Sequence, residues 1–98
     1  MRSIPREWRQ MAKVFVALGD EHRQRILLTF EKGERLTVGQ VAAVSTLSRP
    51  AVSHHLKILR QAGVLVAEKS GKEVFISINK DVLAESLDAV RDYVRSEV

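Results

Sequence analysis

The 98-residue sequence contains no cysteine. That excludes disulfides, thiolate metal sites and thiol redox switching, and it fits the cytoplasm as the expected compartment. Long hydrophobic runs are missing too. The longest, Val14 to Leu18, falls far short of the ~20 residues that span a bilayer. Arg2, Arg6 and Arg9 near the start have no apolar block behind them, so neither a secretory signal nor a membrane partner is expected. There is no Gly-rich phosphate loop and no Ser/His/Asp set in a supporting motif, so the sequence does not read as an enzyme. No repeat, low-complexity tract or linker divides the chain, and its length favours one domain over residues 1–98. A domain this small buries little surface by itself, which makes dimerisation an economical source of extra core.

What is present is a segregated charge. Between residues 48 and 72, Arg49, Lys57, Arg60, Lys69 and Lys72 stand against Glu68 alone. Residues 73–98 hold six acidic side chains against three basic ones, and residues 36–47 carry none. A basic middle and an acidic end suggest one surface that faces a polyanion and another that avoids it.

Periodicity and capping signals divide the chain into seven elements. Trp8, Met11, Phe15 and Leu18 mark a helix from Pro5 to Leu18, stopped by Gly19. Asp20 caps a second helix expected to run to about Lys32, with Gly33 ending it. Thr37 and Gln40 form a capping-box pattern for a short third helix, Val38 to Val44. After the tight break Ser45-Thr46-Leu47, Ser48 caps a fourth helix to about Ala62, with Pro50 in its first turn and Gly63 closing it. Val64 to Glu68 and Val74 to Ile78 read as strands joined by a Lys69-Ser70-Gly71-Lys72 turn, and Asp81 to Val98 as a final amphipathic helix. The fold expected is mainly α with a small β-hairpin (α+β): a winged helix-turn-helix in the order α-α-α-α-β-β-α.

The fourth helix has two opposed faces. At about 100° per residue, Val52, Leu56, Leu59, His55, Ala51 and Ile58 fill one arc, and Arg49, Arg60, Ser53, Lys57, Pro50, Gln61 and His54 the other. The polar arc suits a DNA major groove. Ser53 and His54 can reach base edges, and Arg49 can make a bidentate contact to guanine. Lys57 and Arg60, further along the helix, are placed for phosphates. Lys69 and Lys72 of the hairpin can reach an adjacent minor groove or its phosphates. Ser48, Arg49, Pro50, Ser53, His54, Lys57, Arg60, Lys69 and Lys72 are therefore the expected DNA contacts, with the recognition helix at about 48–62 and the wing at about 64–78. An isolated polar helix face is usually just solvated; the capped preceding helix, tight turn and basic hairpin favour DNA.

The segment Leu47-Ser48-Arg49-Pro50-Ala51-Val52-Ser53-His54-His55-Leu56-Lys57-Ile58-Leu59-Arg60-Gln61-Ala62-Gly63-Val64-Leu65 resembles the recognition segment of the ArsR/SmtB family of bacterial repressors. Leu18-Gly19-Asp20-Glu21-His22-Arg23 and the wing Lys69-Ser70-Gly71-Lys72-Glu73-Val74-Phe75 are similar to that family as well, so the resemblance covers roughly residues 8–95. It implies a homodimer joined through the first and last helices, reading double-stranded DNA at a palindromic operator in the bacterial nucleoid. On this chain the resemblance assigns the dimer interface to Trp8, Met11, Phe15, Leu83, Leu87, Val90, Tyr93 and Val94. Thr46 departs from the family's frequent Gly at the turn, where a left-handed backbone would cost a residue with a β-carbon of order 1 kcal/mol. The family's metal sensors place Cys pairs on the third helix, where this chain has no sulfur, or Asp/His and His/Glu ligands on the last helix, which has no His here. The resemblance thus carries over DNA binding and dimerisation, but no effector site, metal or cofactor.

The remaining polar residues read more simply. His54 and His55 point about 100° apart, so they cannot chelate one metal together. His55 reads as a half-buried structural residue, and His22, in the first turn of the second helix, as a structural one. Asp81, Glu85, Asp88 and Asp92 on the last helix read as a solvated face. The alternative to a repressor, constitutive or under an unidentified effector, is a winged-helix protein-interaction module without specific DNA binding.

Overall fold

A computed structural model describes residues 2–98; Met1, included in the expected span 1–98, lies outside the described residues. The elements are α1 (Arg6–Leu18), α2 (Glu21–Thr29), α3 (Val38–Val44), α4 (Arg49–Gln61), β1 (Leu65–Ser70), β2 (Glu73–Ile78) and α5 (Lys80–Glu97). This is the order read from the sequence, and it is a winged helix-turn-helix.

Side-chain caps set most of the helix starts, because the first turn leaves backbone donors without intrahelical partners. Asp20 Oδ1 accepts the His22 and Arg23 amides at 2.9 and 3.1 Å. At α3 the capping box is complete. Thr37 Oγ1 accepts the Gln40 amide at 3.1 Å, and Gln40 Oε1 accepts the Thr37 amide at 2.9 Å. Ser48 Oγ accepts the Ala51 amide at 3.3 Å and opens α4. Asn79, which the sequence reading passed over, caps α5 through the Val82 amide at 3.3 Å, so the helix starts at Lys80 rather than Asp81.

α2 ends three residues earlier than expected. Phe30 leaves helical geometry (φ −82°, ψ 127°) and its side chain enters the core, 9% exposed. A turn follows in which the Glu34 amide donates to the Glu31 carbonyl, and Gly33 takes a positive φ of 73° inside it. Gly33 therefore serves the turn and not the helix end.

The core lies where the helices meet the base of the hairpin. Val14 and Ala17 of α1, Ile26 of α2, Val41 of α3 and Val52, Leu56 and Leu59 of α4 are buried together with Leu65 and Ile76. α4 ends in a Schellman motif: the Val64 amide donates to the Leu59 carbonyl and the Gly63 amide to that of Arg60, each at 3.0 Å. Gly63 adopts φ +81° there, which is the left-handed region that favours glycine.

In the wing, pairing runs from Leu65↔Ile78 to Ser70↔Glu73. The loop is therefore two residues, Gly71-Lys72, with Gly71 at φ 62°, and not the four-residue turn expected. Lys69 and Ser70 belong to β1. Leu36 exchanges both backbone hydrogen bonds with Ile76 (2.9 and 2.7 Å) and adds a one-residue third strand outside β2. The helix-turn-helix corner is unstrained: every positive-φ residue described is a glycine, so Thr46 is not left-handed. The Leu47 amide donates to Ser45 Oγ at 3.1 Å and closes that corner instead.

Candidate nucleic-acid interface

α4 divides as its sequence periodicity requires. Val52, Leu56 and Leu59 are buried, and Ala51, His55 and Ile58 are half-buried at the flanks. Arg49, Pro50, Ser53, His54, Lys57, Arg60 and Gln61 are exposed. Ser53, Lys57 and Arg60 border a cleft of about 400 Å³ between α4, Val38 of α3 and Ile76 of β2, which brings the polar arc beside the root of the wing. Lys69 and Lys72 are exposed on the wing itself, Lys72 in the loop and Lys69 opposite Val74.

The cations of this surface carry free charge. Among the described residues one ion pair forms, Arg35 to Glu68 at 3.9 Å, and it involves neither α4 nor the two wing lysines. Unpaired Lys and Arg on one face are what a polyanion neutralises. Ser48 is partly committed. Its oxygen accepts the Ala51 amide, leaving only its hydroxyl proton to give.

Two arginines outside the expected set brace this surface. The Arg35 guanidinium lies 4.7 Å from the centre of the Phe75 ring and faces Glu68, which is paired with Phe75 across the hairpin. It ties the loop before α3 to the wing. Arg23, in the first turn of α2, donates from Nε to the Ala17 carbonyl at 2.7 Å and from Nη2 to the Val16 carbonyl at 3.2 Å. Its Nη1 lies 3.2 Å from His55 Nδ1. A hydrophobicity pattern along one helix cannot announce these links, which join residues 32 apart in the case of Arg23 and His55.

Burial pushes the His55 imidazole below the ordinary histidine range; Asp20 opposes this, and Arg23, His22 and His54 reinforce it. The Asp20 carboxyl is held below its usual range, first by the Arg23 backbone amide it accepts and further by the Arg23 charge and the His22 amide. His22 and His55 stand 5.7 Å apart between ring centres. Among the described residues no group of three or more His, Cys, Asp or Glu side chains is arranged to hold a metal ion. No described helix is long and apolar enough to cross a membrane.

The expected dimer residues fall on α1 and α5 and separate into two groups. Trp8, Met11, Leu83 and Val90 are half-buried within the protomer, while Phe15, Leu87, Tyr93 and Val94 are exposed. Ile4 and Val16, which the sequence reading did not select, are also exposed, at 62% and 69%.

A capped helix-turn-helix, a cationic recognition face and a hairpin wing define a winged-helix DNA-binding regulator. The family model described as "Bacterial regulatory protein, arsR family" matches residues 20–66, from the cap of α2 into β1. The transcriptional repressor SdpR of Bacillus subtilis is 36% identical over 84 residues, covering 86% of this chain and 92% of that protein. The SmtB repressor homologue of Synechocystis is 33% identical over 86 residues, covering 88% of this chain and 64% of that protein. An ArsR-like transcriptional regulator from Rhodococcus sp. RHA1 superposes with a TM-score of 0.84 at 25% identity, covering 91% of this chain and 83% of that one. The chain belongs to the ArsR family of transcriptional regulators.

Proposed function

We propose that the protein is a homodimeric transcriptional repressor that sets α4 of each protomer into successive major grooves of a palindromic operator. The observation that carries this reading is the exposed arc of Arg49, Ser53, His54, Lys57 and Arg60 on α4, flanked by Lys69 and Lys72 and free of ion pairs among the described residues. Arg49, Ser53 and His54 read base edges, with Pro50 packing beside them. Lys57, Arg60 and the Ser48 hydroxyl hold phosphates, and the wing lysines hold the flanking backbone. Repression is the role for which SdpR and the SmtB homologue are named. Such a protein works at the nucleoid, in the cytoplasm.

Two features support the dimer. Leu87, Val94 and Tyr93 on α5 and Phe15 on α1 are exposed apolar side chains, and so is Val16 of α1, which borders a groove with Ile58 and Gln61 of α4. The radius of gyration is 15.1 Å, against about 13 Å for a compact domain of 100 residues. The excess fits α5, whose last seven residues, 91–97, are all exposed, with Tyr93 standing against the Trp8 ring of α1. A partner's α1 and α5 supply the missing side, and the two-fold axis so formed sets the recognition helices about 34–36 Å apart or a multiple of it.

The test is selection of bound sequences from a randomised duplex pool, followed by titration at several salt concentrations. Recovery of a palindrome bound by two chains with steep salt dependence supports the reading. Shallow binding with no enriched sequence points instead to a winged-helix protein-interaction module.

A further inference from the structure

The Arg23–His55 contact gives the recognition helix an anchor outside its own apolar face. Arg23 rises from the first turn of α2, which Asp20 fixes through the Arg23 amide. Its guanidinium then spans two other helices, closing the Ala17 and Val16 carbonyls at the end of α1 and meeting His55 in the middle of α4. Both carbonyls lie in the last turn of α1, where a helix end leaves acceptors to be satisfied; that of Val16 also takes the Gly19 amide at 3.2 Å. One planar, five-donor group thus fixes the spacing of α1, α2 and α4.

The contact works in one protonation state. A guanidinium only donates and does not lose its proton, so Nδ1 of His55 must present a lone pair and the imidazole proton must sit on Nε2. We propose that Arg23 is the positioning residue for the recognition helix, holding it only while His55 is neutral, so that acidification loosens α4 and weakens DNA binding. This rests on the reading of α4 as the helix that enters DNA.

The surroundings of His55 favour that sense. From α2 and its cap it is faced by Arg23, His22 and Asp20, and on α4 by His54, whose ring centre is 5.8 Å away. α1 presents carbonyls already taken by Arg23. Asp20 alone favours an imidazolium, and its Oδ1 is engaged by two backbone amides. Proton uptake at Nδ1 replaces a hydrogen bond with two like charges about the same distance apart. His54 works the other way: exposed on the DNA face, it gains attraction for phosphate when it is protonated. The sign of the pH effect therefore separates the two histidines.

The experiment measures affinity for a duplex recovered from the randomised pool at about pH 7.5 and about pH 5.5, bracketing histidine titration. His55→Gln is compared with the wild type, since its amide oxygen accepts from Arg23 at either pH. The wild type is expected to weaken roughly five- to tenfold on acidification, within the usual range of coupling between sites. His55→Gln, which retains His54, is expected to show no loss or a gain. Arg23→Lys keeps the charge but not the three-way fork, and is expected to bind weakly at both pH values. Urea unfolding at each pH verifies that the proteins compared are folded. Nitrogen chemical shifts of the His55 ring in the DNA-free protein give a second readout and are expected to show Nε2–H at neutral pH. An equal acid loss in wild type and His55→Gln, or a protonated Nδ1 at neutral pH, overturns the assignment of Arg23. Absence of duplex binding at either pH overturns the DNA reading and this proposal with it.

Discussion

The indole of Trp8 stands edge-on to the phenol ring of Tyr93, with centres 5.1 Å apart and planes at 83°. The pair joins the first turn of α1 to the last turns of α5, and an edge-to-face contact of this kind contributes about 0.5–1.5 kcal/mol beyond its buried area. It places an aromatic ring from each end of the chain on one surface of the protomer. Tyr93 remains 43% exposed on that surface, beside Val94 at 52%.

If that surface is the dimer interface, a charge on it should separate the protomers without unfolding them. Leu87 is the suitable position, because it is 55% exposed in the protomer whereas Val90 already packs partly within it. Leu87→Glu is expected to sediment as a monomer and to lose DNA affinity. A Leu87→Glu protein that sediments as a dimer would place the interface elsewhere.

Gly63 is one of three glycines with a positive φ among the described residues. Its φ of +81° disfavours any residue with a β-carbon, although an added Cβ would meet Gln10 and Val82 only at an ordinary 3.8 Å. Gly63→Ala should therefore cost about 1–2 kcal/mol through backbone strain and not through a clash. Urea unfolding measures it. An unchanged midpoint would mean that the turn after α4 relaxes out of the left-handed region.

Acid should destabilise the fold through Asp20. Its folded-state pKa is lowered, chiefly by the Arg23 amide, so its contribution is fully present above the unfolded value and disappears as pH falls through the folded one. Asn keeps the capping oxygen but does not titrate in this range. Asp20→Asn is expected to lose less stability than the wild type between about pH 6 and about pH 3, a window that includes the ordinary aspartate pKa. Equal losses would show that Asp20 does not carry the acid dependence.

On the wing, Lys72→Ala should weaken binding to every duplex alike and lower the slope of log affinity against log salt by about 1.8 for the dimer, about 0.9 for each protomer's phosphate contact. A loss confined to one sequence would instead assign Lys72 to base reading.

Much of this fold was legible because its signals are local. Asp20, Thr37 with Gln40, and Ser48 each announce a helix start within three residues, and the structure shows all three caps formed. The two faces of α4 follow from one angular period. What escaped the sequence reading depends on contacts distant along the chain. The Leu36–Ile76 bridge is one residue long and has no periodicity to detect. Gly33 was a visible stop signal, but burial of the Phe30 ring ends α2 first. The wing loop shortened because pairing continued to Ser70↔Glu73, beyond the apolar residues that marked the strands. At the candidate site, exposure of the α4 cations was readable, whereas the Arg23–His55 anchor needed three helices in place.

Sequence readout by α4 is tested most directly by measuring Ser53→Ala and Arg49→Ala on the selected duplex and on random DNA in parallel. A direct base contact should make each substitution cost roughly 1–3 kcal/mol per half-site more on the selected duplex than on random DNA, with preference relaxed at one base position in each half-site. Equal losses on both duplexes would contradict base reading by these two residues and leave α4 holding only the phosphate backbone.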